Sequence, residues 1–393
     1  MLEQICLAQS ILLRGARQLL TLRGTPSFRS GAGLQDLSII EDGAVLIRDG
    51  IVHSVGSSRR MENLREARQG VEIPVHGRVV MPGFIDLGLR VFLPSKRRKS
   101  FLQIRNDAST LVSSCLHYGT TSIELESGGN EDPANDLPLL RQALKVGVEQ
   151  DVVHSWRLHL PDKHPDEGWE TRLAELFRYV AKHRQARFLT LHPGGASLDV
   201  FHRTLRMAHS AGLKLKLISH SEVEDKFLTL APQYGLISVT GPSLCPGGSL
   251  NAIASLPAAA IFRPLLDLAH PVAEQHILAK FITAGGIPVL ASGHDEQSPG
   301  FSMQAAVELA ALRHGMTLEQ AISAATINAA YAAGWGADRG SLEVGKRADI
   351  LVLNLSDYRD ISHQLGINYV GMVIRRGVVV FNRTSWRVGA AGR

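Results

Sequence analysis

Four histidines stand where a barrel enzyme would place its functional groups, each at or just beyond the carboxyl end of a predicted buried strand. They are His159, His192, His220 and His294, and Asp295 directly follows the last of them. Imidazole nitrogens with one carboxylate suit a zinc, iron or nickel ion, and a neutral imidazole is also the usual general base. The pattern predicts either a relocated metal site or a metal-free site. In the second case His220 or His294 is the catalytic base, and Asp295 is a base or the group that orients it.

The alternative for each histidine is a solvated side chain on a loop. The chain has 16 histidines, so several must fall on loops whatever the fold. The cluster gains weight from one fact only: the carboxyl ends of parallel strands meet at one face of a barrel, and barrel enzymes place their active sites there. Both interpretations stay open at this point.

Alternating buried strands and helices over residues 81–339 predict the scaffold that would position these groups. Helical spacing of apolar residues marks segments such as 170–183, 198–211 and 303–314. The strand-like runs are 121–125, 152–154, 187–191, 213–218, 236–239 and 287–291. Repeated units of this kind imply parallel strands in an α/β fold, and their number favours a closed (β/α)8 TIM barrel.

The two ends of the chain differ from the middle. Residues 1–80 contain short β-rich runs, and the Asp49-Gly50 pair between two of them is typical of a two-residue hairpin turn. Residues 340–393 have the same β-rich character. We therefore predict that 1–80 and 340–393 pair into one small sheet domain and that 81–339 form the barrel domain.

Composition and charge argue against several function classes. Charged residues make up 20% of the 393 positions and the hydrophobic set 45%, which is ordinary for a globular protein. The net charge is +5, but lysine and arginine are scattered apart from the loop 96–99, so no nucleic-acid partner is predicted. No apolar run reaches the ~20 residues needed to cross a bilayer, and the three cysteines lie far apart. We expect a cytoplasmic protein without a membrane partner, and a homodimer is compatible with the sequence.

Several segments carry a family signature, beginning with Met81-Pro82-Gly83-Phe84-Ile85-Asp86 in the first predicted barrel strand. The others are residues 118–124, 127–128, 325–330, 340–349, 357–358 and 366–370. Through these segments the chain resembles the amidohydrolase superfamily, and most closely the imidazolonepropionases, over nearly its whole length. The resemblance implies a distorted TIM barrel with a composite β-sandwich made from both termini. It also implies hydrolysis of a C–N bond in a cyclic amide.

The same resemblance implies one divalent metal at the barrel mouth, which would activate a water molecule for attack on the amide carbon. The family holds that metal with histidines and an aspartate. The matching positions here are Gly88, Arg90, Ile218, Gly241 and Gly293. None of these side chains can bind a divalent ion, and the charge of Arg90 would repel one. We therefore expect no cofactor at the inherited site, and Zn or Fe only if a relocated histidine cluster binds it.

Some substrate contacts of the family are retained. Arg97 stands where imidazolonepropionases carry an arginine for the substrate carboxylate, and His159 matches their histidine after the third strand. A guanidinium suits bidentate carboxylate recognition, although a solvated charge in a basic loop is the alternative for Arg97. The family's tyrosine after Ser127 and Gly128 is replaced by Gly129, so the substrate need not be the family's own. The candidate substrate-binding residues are Arg90, Arg97, Ser127, His159 and His192.

Two functions are consistent with these residues. The first is an imidazolonepropionase-like hydrolase that cleaves a C–N bond in a cyclic amide or related small molecule through a rebuilt or metal-free site. The second is a catalytically degenerate barrel that binds a small anionic ligand, or a protein partner, without hydrolysis. The residues alone favour the second over survival of the family's own reaction, because every inherited metal ligand is replaced.

Overall fold

The structure is a computed structural model, and it describes residues 10–24, 26–92, 100–146, 151–162, 165–219, 225–244, 247–268, 275–295, 298–383 and 389–390. None of the helices in this described part is long and apolar enough to cross a membrane. The strands are β1 Ser10–Leu20, β2 Ile39–Arg48, β3 Ile51–Ser57, β4 Val71–Pro74, β5 Val79–Pro82, β6 Phe84–Phe92, β7 Thr120–Gly128, β8 Asp151–His159, β9 Phe188–His192, β10 Lys214–Ile218, β11 Leu236–Thr240, β12 Ala259–Phe262, β13 Ile287–Leu290, β14 Ile350–Leu353, β15 Val370–Arg375, β16 Val378–Asn382 and β17 Gly389–Ala390. The α-helices are α1 Ser58–Met61, α2 Arg65–Arg68, α3 Phe101–His117, α4 Leu137–Ala143, α5 Trp169–Lys182, α6 Leu198–Ser210, α7 Asp225–Leu230, α8 Gly247–Ala254, α9 Ile277–Thr283, α10 Met303–His314, α11 Leu318–Ala325 and α12 Ile327–Ala332.

The middle of the chain forms the predicted barrel. Strands β6 to β13 are parallel and lie in chain order in one eight-stranded sheet. Its first and last strands are joined where the backbone N–H of Arg90 donates to the carbonyl of His294 (2.9 Å). The carboxylate of Asp86 also accepts a hydrogen bond from the backbone N–H of Ser292 (3.0 Å). Fold class and barrel are confirmed, and the mouth lies at the carboxyl ends of these strands.

The two ends of the chain share a second sheet, as predicted. Its order is β16-β15-β14-β5-β1-β2-β3, with β4 paired to β1 and to β17. Strand β14 from the C-terminal part pairs antiparallel with β5 from the N-terminal part. Buried side chains from both parts pack into one cluster, including Leu19, Val45, Val80 and Ile350. The composite sheet is therefore held together by backbone pairing and by a common apolar core.

Two local predictions can be compared with the backbone. Asp49 and Gly50 both have positive φ (51° and 78°) in the turn between β2 and β3, the geometry that a two-residue hairpin needs. The sequence Thr317-Leu318-Glu319-Gln320 also predicts a helix that begins after Thr317 and continues into Ala329; the helix does begin there, with a capping box between Thr317 and Gln320. It is divided at Thr326, where φ is −125° and ψ is −86°, and a second helix follows.

Asp151, at the start of β8, connects the barrel to the C-terminal part of the chain. Its carboxylate accepts hydrogen bonds from Arg347 and from Arg376 (2.5 Å for the latter). The guanidinium of Arg339 lies 3.7 Å away. Burial opposes the charged form of Asp151, but the hydrogen bonds from Arg347 and Arg376 outweigh it and lower its pKa to about 2. Asp151 is thus the carboxylate shared by three arginines, of which Arg339 also pairs with Asp338 (3.0 Å) and Arg347 with Asp349 (3.3 Å).

Candidate functional site

The centre of the barrel is occupied by charged side chains. Lys216 on β10 donates to Glu124 on β7, and the hydroxyl of Ser155 on β8 donates to the other oxygen of the same carboxylate (2.5 Å). The Lys216 ammonium also lies 4.3 Å from the centre of the Phe188 ring. Lys216 and Glu124 are both almost fully buried. Since each charge has its partner, this layer is a closed and neutral ion pair.

A second charged layer lies nearer the mouth. Its Glu126 is two residues beyond Glu124 on β7, and Arg90 lies beside Glu126 on β6. The Oε1 atom of Glu126 lies 3.1 Å from Nε of Arg90 and 3.1 Å from Nη1 of Arg157. Nη1 of Arg90 also lies 3.3 Å from Oδ2 of Asp295. Burial raises the pKa of Glu126, but the charges of Arg157 and Arg90 outweigh it and the net direction is downward. Glu126 is therefore an anion that pairs with both Arg90 and Arg157.

Arg263, which follows β12, adds a third guanidinium to this layer. The residue is buried, with 6% of its surface exposed, and its guanidinium donates no hydrogen bond to another described residue, although the carboxylates of Glu126 and Asp267 lie near enough to favour its charge. Burial and the neighbouring charge of Arg90 lower its pKa to about 10, so it is a cation at neutral pH. In the described part of the chain, only Glu126 and Asp295 bring carboxylates within 4 Å of the three arginines. Within this distance the layer has one more guanidinium than carboxylate, and the carboxylate of Asp267 acts on Arg263 from farther away.

Two of the predicted histidines meet above the arginines. The rings of His159 and His192 are 4.7 Å apart and inclined by 31°. Nε of Arg157 donates to Nε2 of His159 (3.0 Å). Burial, helped by the charge of Arg157, lowers the pKa of both histidines to about 4. Both imidazoles are therefore neutral at physiological pH, and Nε2 of His159 already accepts a hydrogen bond from Arg157.

The other predicted site residues have different positions. His294 has a pKa lowered by burial, and Asp295 accepts a hydrogen bond from the backbone N–H of Ser298 (2.7 Å). Ser127 is fully buried, and strand alternation places it on the face of β7 opposite to Glu124 and Glu126. The remaining two candidates, His220 and Arg97, lie outside the described residues.

Five charged groups in the barrel interior were not among the predicted site residues. They are Glu124, Glu126, Arg157, Lys216 and Arg263. A signal for most of them was present: charged residues recur at every second position of otherwise apolar strand runs, as in Glu124-Leu125-Glu126 and Lys214-Leu215-Lys216. In a barrel strand covered by helices, such a period of two places the charge in the barrel interior.

Comparisons with known proteins agree with this architecture. A sequence profile of the Amidohydrolase family matches residues 274–380. The imidazolonepropionase of Solibacter usitatus is 27% identical over 415 aligned residues, covering 95% of this chain and 99% of that protein. The imidazolonepropionase of Deinococcus radiodurans is 29% identical, with 93% and 98% covered. The chain therefore resembles the amidohydrolase superfamily, and in particular the imidazolonepropionases, over nearly its whole length. Its fold also matches a solved adenosine deaminase from Xanthomonas campestris with bound zinc, with a TM-score of 0.69, 15% identity and coverage of 95% and 93%.

A divalent metal held as in the superfamily does not fit the described residues of the mouth. A Cβ atom on Gly88 would lie 2.9 Å from Cβ of Ala291 and 3.0 Å from the backbone nitrogen of Gly293. A Cβ atom on Gly293 would lie 2.8 Å from Cβ of Arg263. Since real Cβ atoms avoid contacts this short, neither position has room for a metal-binding side chain without displacement of its neighbours.

The donor set leads to the same conclusion. No group of three His, Cys, Asp or Glu side chains within the described ranges is arranged to hold a metal ion. The charged side chains that occupy the mouth leave a cavity of about 10 Å³ between them, room for about one water molecule. Among the described residues, an arginine–carboxylate network thus occupies the mouth.

Proposed function

We propose that this chain is an imidazolonepropionase-like protein whose barrel mouth binds a small anionic molecule without a divalent metal. The main support for the proposal is the state of Arg263. Its guanidinium is buried, and no described residue accepts a hydrogen bond from it. Leaving a buried charge without a partner is costly, and an anion at the mouth would remove that cost. The positive surplus of the layer formed by Arg90, Arg157 and Arg263 supports the same ligand charge.

A carboxylate is the ligand group that this arrangement suits best. A guanidinium presents paired N–H donors that match the two oxygens of a carboxylate. Since the space between the charged side chains holds about one water molecule, the ligand would contact Arg263 from the loop side of the mouth. The neutral rings of His159 and His192 would then lie beside the uncharged part of the ligand.

The second candidate function is metal-free hydrolysis of a C–N bond in a cyclic amide. The observation that favours it is the position of His294 and Asp295 after the last barrel strand, where Asp295 contacts Arg90 at 3.3 Å. His294, with its pKa lowered by burial, is available as a neutral base. The family resemblance over most of the chain supports this candidate, and it would use the same anion-binding arginines.

Replacement of Arg263 by methionine is expected to weaken binding of imidazole-4-propionate by about 10- to 150-fold, the worth of a hydrogen bond to a charged group of ~1.5–3 kcal/mol. Isothermal titration calorimetry measures this change. The variant is expected to fold because it removes a buried charge. Arg206→Met on the exposed face of α6 is the matched control and should bind like the parent.

Two outcomes distinguish the candidates. Unchanged binding by Arg263→Met would contradict the proposed anion site. Turnover of imidazolonepropionate by protein stripped of metal, and its loss on His294→Ala, would favour hydrolysis over binding alone.

A further inference from the structure

A second cavity lies on the outer side of the barrel, between the loops that follow β7 and β8 and the helices α4 and α5. Its volume is about 810 Å³, within the range of about 300–1,000 Å³ that is usual for small-molecule sites. None of its lining residues lines the mouth. The apolar part of the lining is formed by Pro133, Leu137, Pro161, Trp169, Leu173 and Leu176.

The walls of this outer cavity are held by hydrogen bonds. The buried carboxylate of Asp136 accepts from the backbone N–H groups of Gly129 (3.2 Å) and Asn130 (3.1 Å) and from the indole of Trp156 (2.8 Å). These bonds fix the loop between β7 and α4. On the other side Arg172 donates to Asp166 (2.6 Å). The cavity is therefore formed without a ligand.

The rim of the outer cavity is acidic. Among the described lining residues there are four carboxylates, Glu131, Asp132, Asp166 and Glu175, and one guanidinium, that of Arg172. Asp166 is paired with Arg172, and Asp132 accepts from the backbone N–H of Ala134 (3.0 Å). Glu131 and Glu175 form no ion pair within 4 Å with any described residue. Negative charge at this rim is thus available to a ligand.

We propose that the outer cavity binds a small organic cation that has an apolar or aromatic body. The apolar floor would take the body, and Glu131 and Glu175 would pair with the ammonium group. The ring of Trp169 also lines the cavity, and the face of an aromatic ring attracts a cation; the Tyr179 ring already contacts the guanidinium of Arg141. The ligand charge is opposite to that expected at the mouth, so the two sites select different molecules.

The test is calorimetric titration of the full chain with 1-naphthylmethylamine and with its neutral counterpart 1-naphthylmethanol. The amine is expected to bind about five- to thirtyfold more tightly, from ion pairing at an exposed rim and a cation–ring contact. Glu131→Gln and Glu175→Gln should each weaken the amine by about two- to fivefold and leave the alcohol unchanged. Glu41→Gln, an exposed position in the terminal sheet, is the matched control.

Equal affinities for amine and alcohol would overturn the proposal. So would amine binding that Glu131→Gln and Glu175→Gln leave at the level of the Glu41→Gln control. Because Glu131 and Glu175 are exposed and have no ion-pair partner among the described residues, neither substitution should disturb folding, and circular dichroism of each variant verifies this.

Discussion

Replacement of Lys216 by methionine is expected to lower the free energy of unfolding by about 3–5 kcal/mol. Methionine fills a similar volume, so the loss comes from the carboxylate of Glu124, which remains buried with only the hydroxyl of Ser155 as a donor among the contacts described above. Urea denaturation followed by circular dichroism measures the change. The matched control is Lys214→Met, two residues earlier on the same strand but exposed, for which a change within about 0.5 kcal/mol is expected.

A second substitution identifies the cause of that loss. Removing both charges in Glu124→Gln with Lys216→Met should recover most of the stability, because a missing pair costs far less than a single buried charge. Two results would contradict a stabilising role of the Lys216–Glu124 pair. One is the same free energy of unfolding for Lys216→Met as for Lys214→Met. The other is a double variant that is no more stable than Lys216→Met alone.

Replacement of Asp151 by asparagine is expected to lower the free energy of unfolding by about 3 kcal/mol, at the lower limit for a buried pair because Arg376 is partly exposed. The substitution removes the carboxylate that Arg339 and Arg347 share, and leaves Arg347 with its contact to Asp349 (3.3 Å) and Arg339 with its contact to Asp338. The control is Asp338→Asn, since Asp338 pairs with Arg339 (3.0 Å) but is 47% exposed, and about 1 kcal/mol or less is expected there.

The contribution of Asp151 should also depend on pH. Its pKa in the folded protein, about 2, lies below the usual value of about 3.9. The native state therefore binds fewer protons than the unfolded state between these values, so stability falls as pH is lowered. The difference between the parent and Asp151→Asn should be fully present above pH ~4 and shrink between pH ~4 and ~2. A difference that stays constant over this range would show that Asp151 acts through packing and not through charge.

The fold could be predicted from the sequence because the periodicity of apolar residues and the turn residues indicated the same elements. The alternation of strand and helix runs predicted the barrel, and the Asp49-Gly50 pair predicted a hairpin that the backbone confirms. The break at Thr326 was not visible in the apolar spacing. It accompanies a tertiary contact in which the side chain of Asn328 donates to the carbonyls of Arg29 and Pro288 (both 2.9 Å).

The candidate site was accessible only in part. Sequence placed His159 and His192 at the mouth, and the structure brings their rings together. It identified Arg90 as an anion-binding group, whereas the described structure pairs Arg90 with Glu126 and Asp295. The partners of the buried charges come from strands far apart in the chain, as with Glu124 and Lys216, so no local pattern in one sequence identifies which residues meet.

The positions that would have held a metal show how the sequence and the packing of the mouth are related. Sequence showed that Gly88 and Gly293 lack donor atoms. The structure adds that their missing side chains leave room for Ala291 and Arg263, so the change of chemistry and the packing of the mouth depend on each other. The arginine cluster is therefore an integral part of the barrel core.

The most direct test of the account is the metal content of the protein, purified without chelator and without an affinity tag of histidines, and read by elemental analysis. The account predicts zinc, iron and nickel each far below one atom per chain, in protein that still binds imidazole-4-propionate. One atom of zinc, iron or nickel per chain, lost in the His220→Ala and His294→Ala variants, would contradict it.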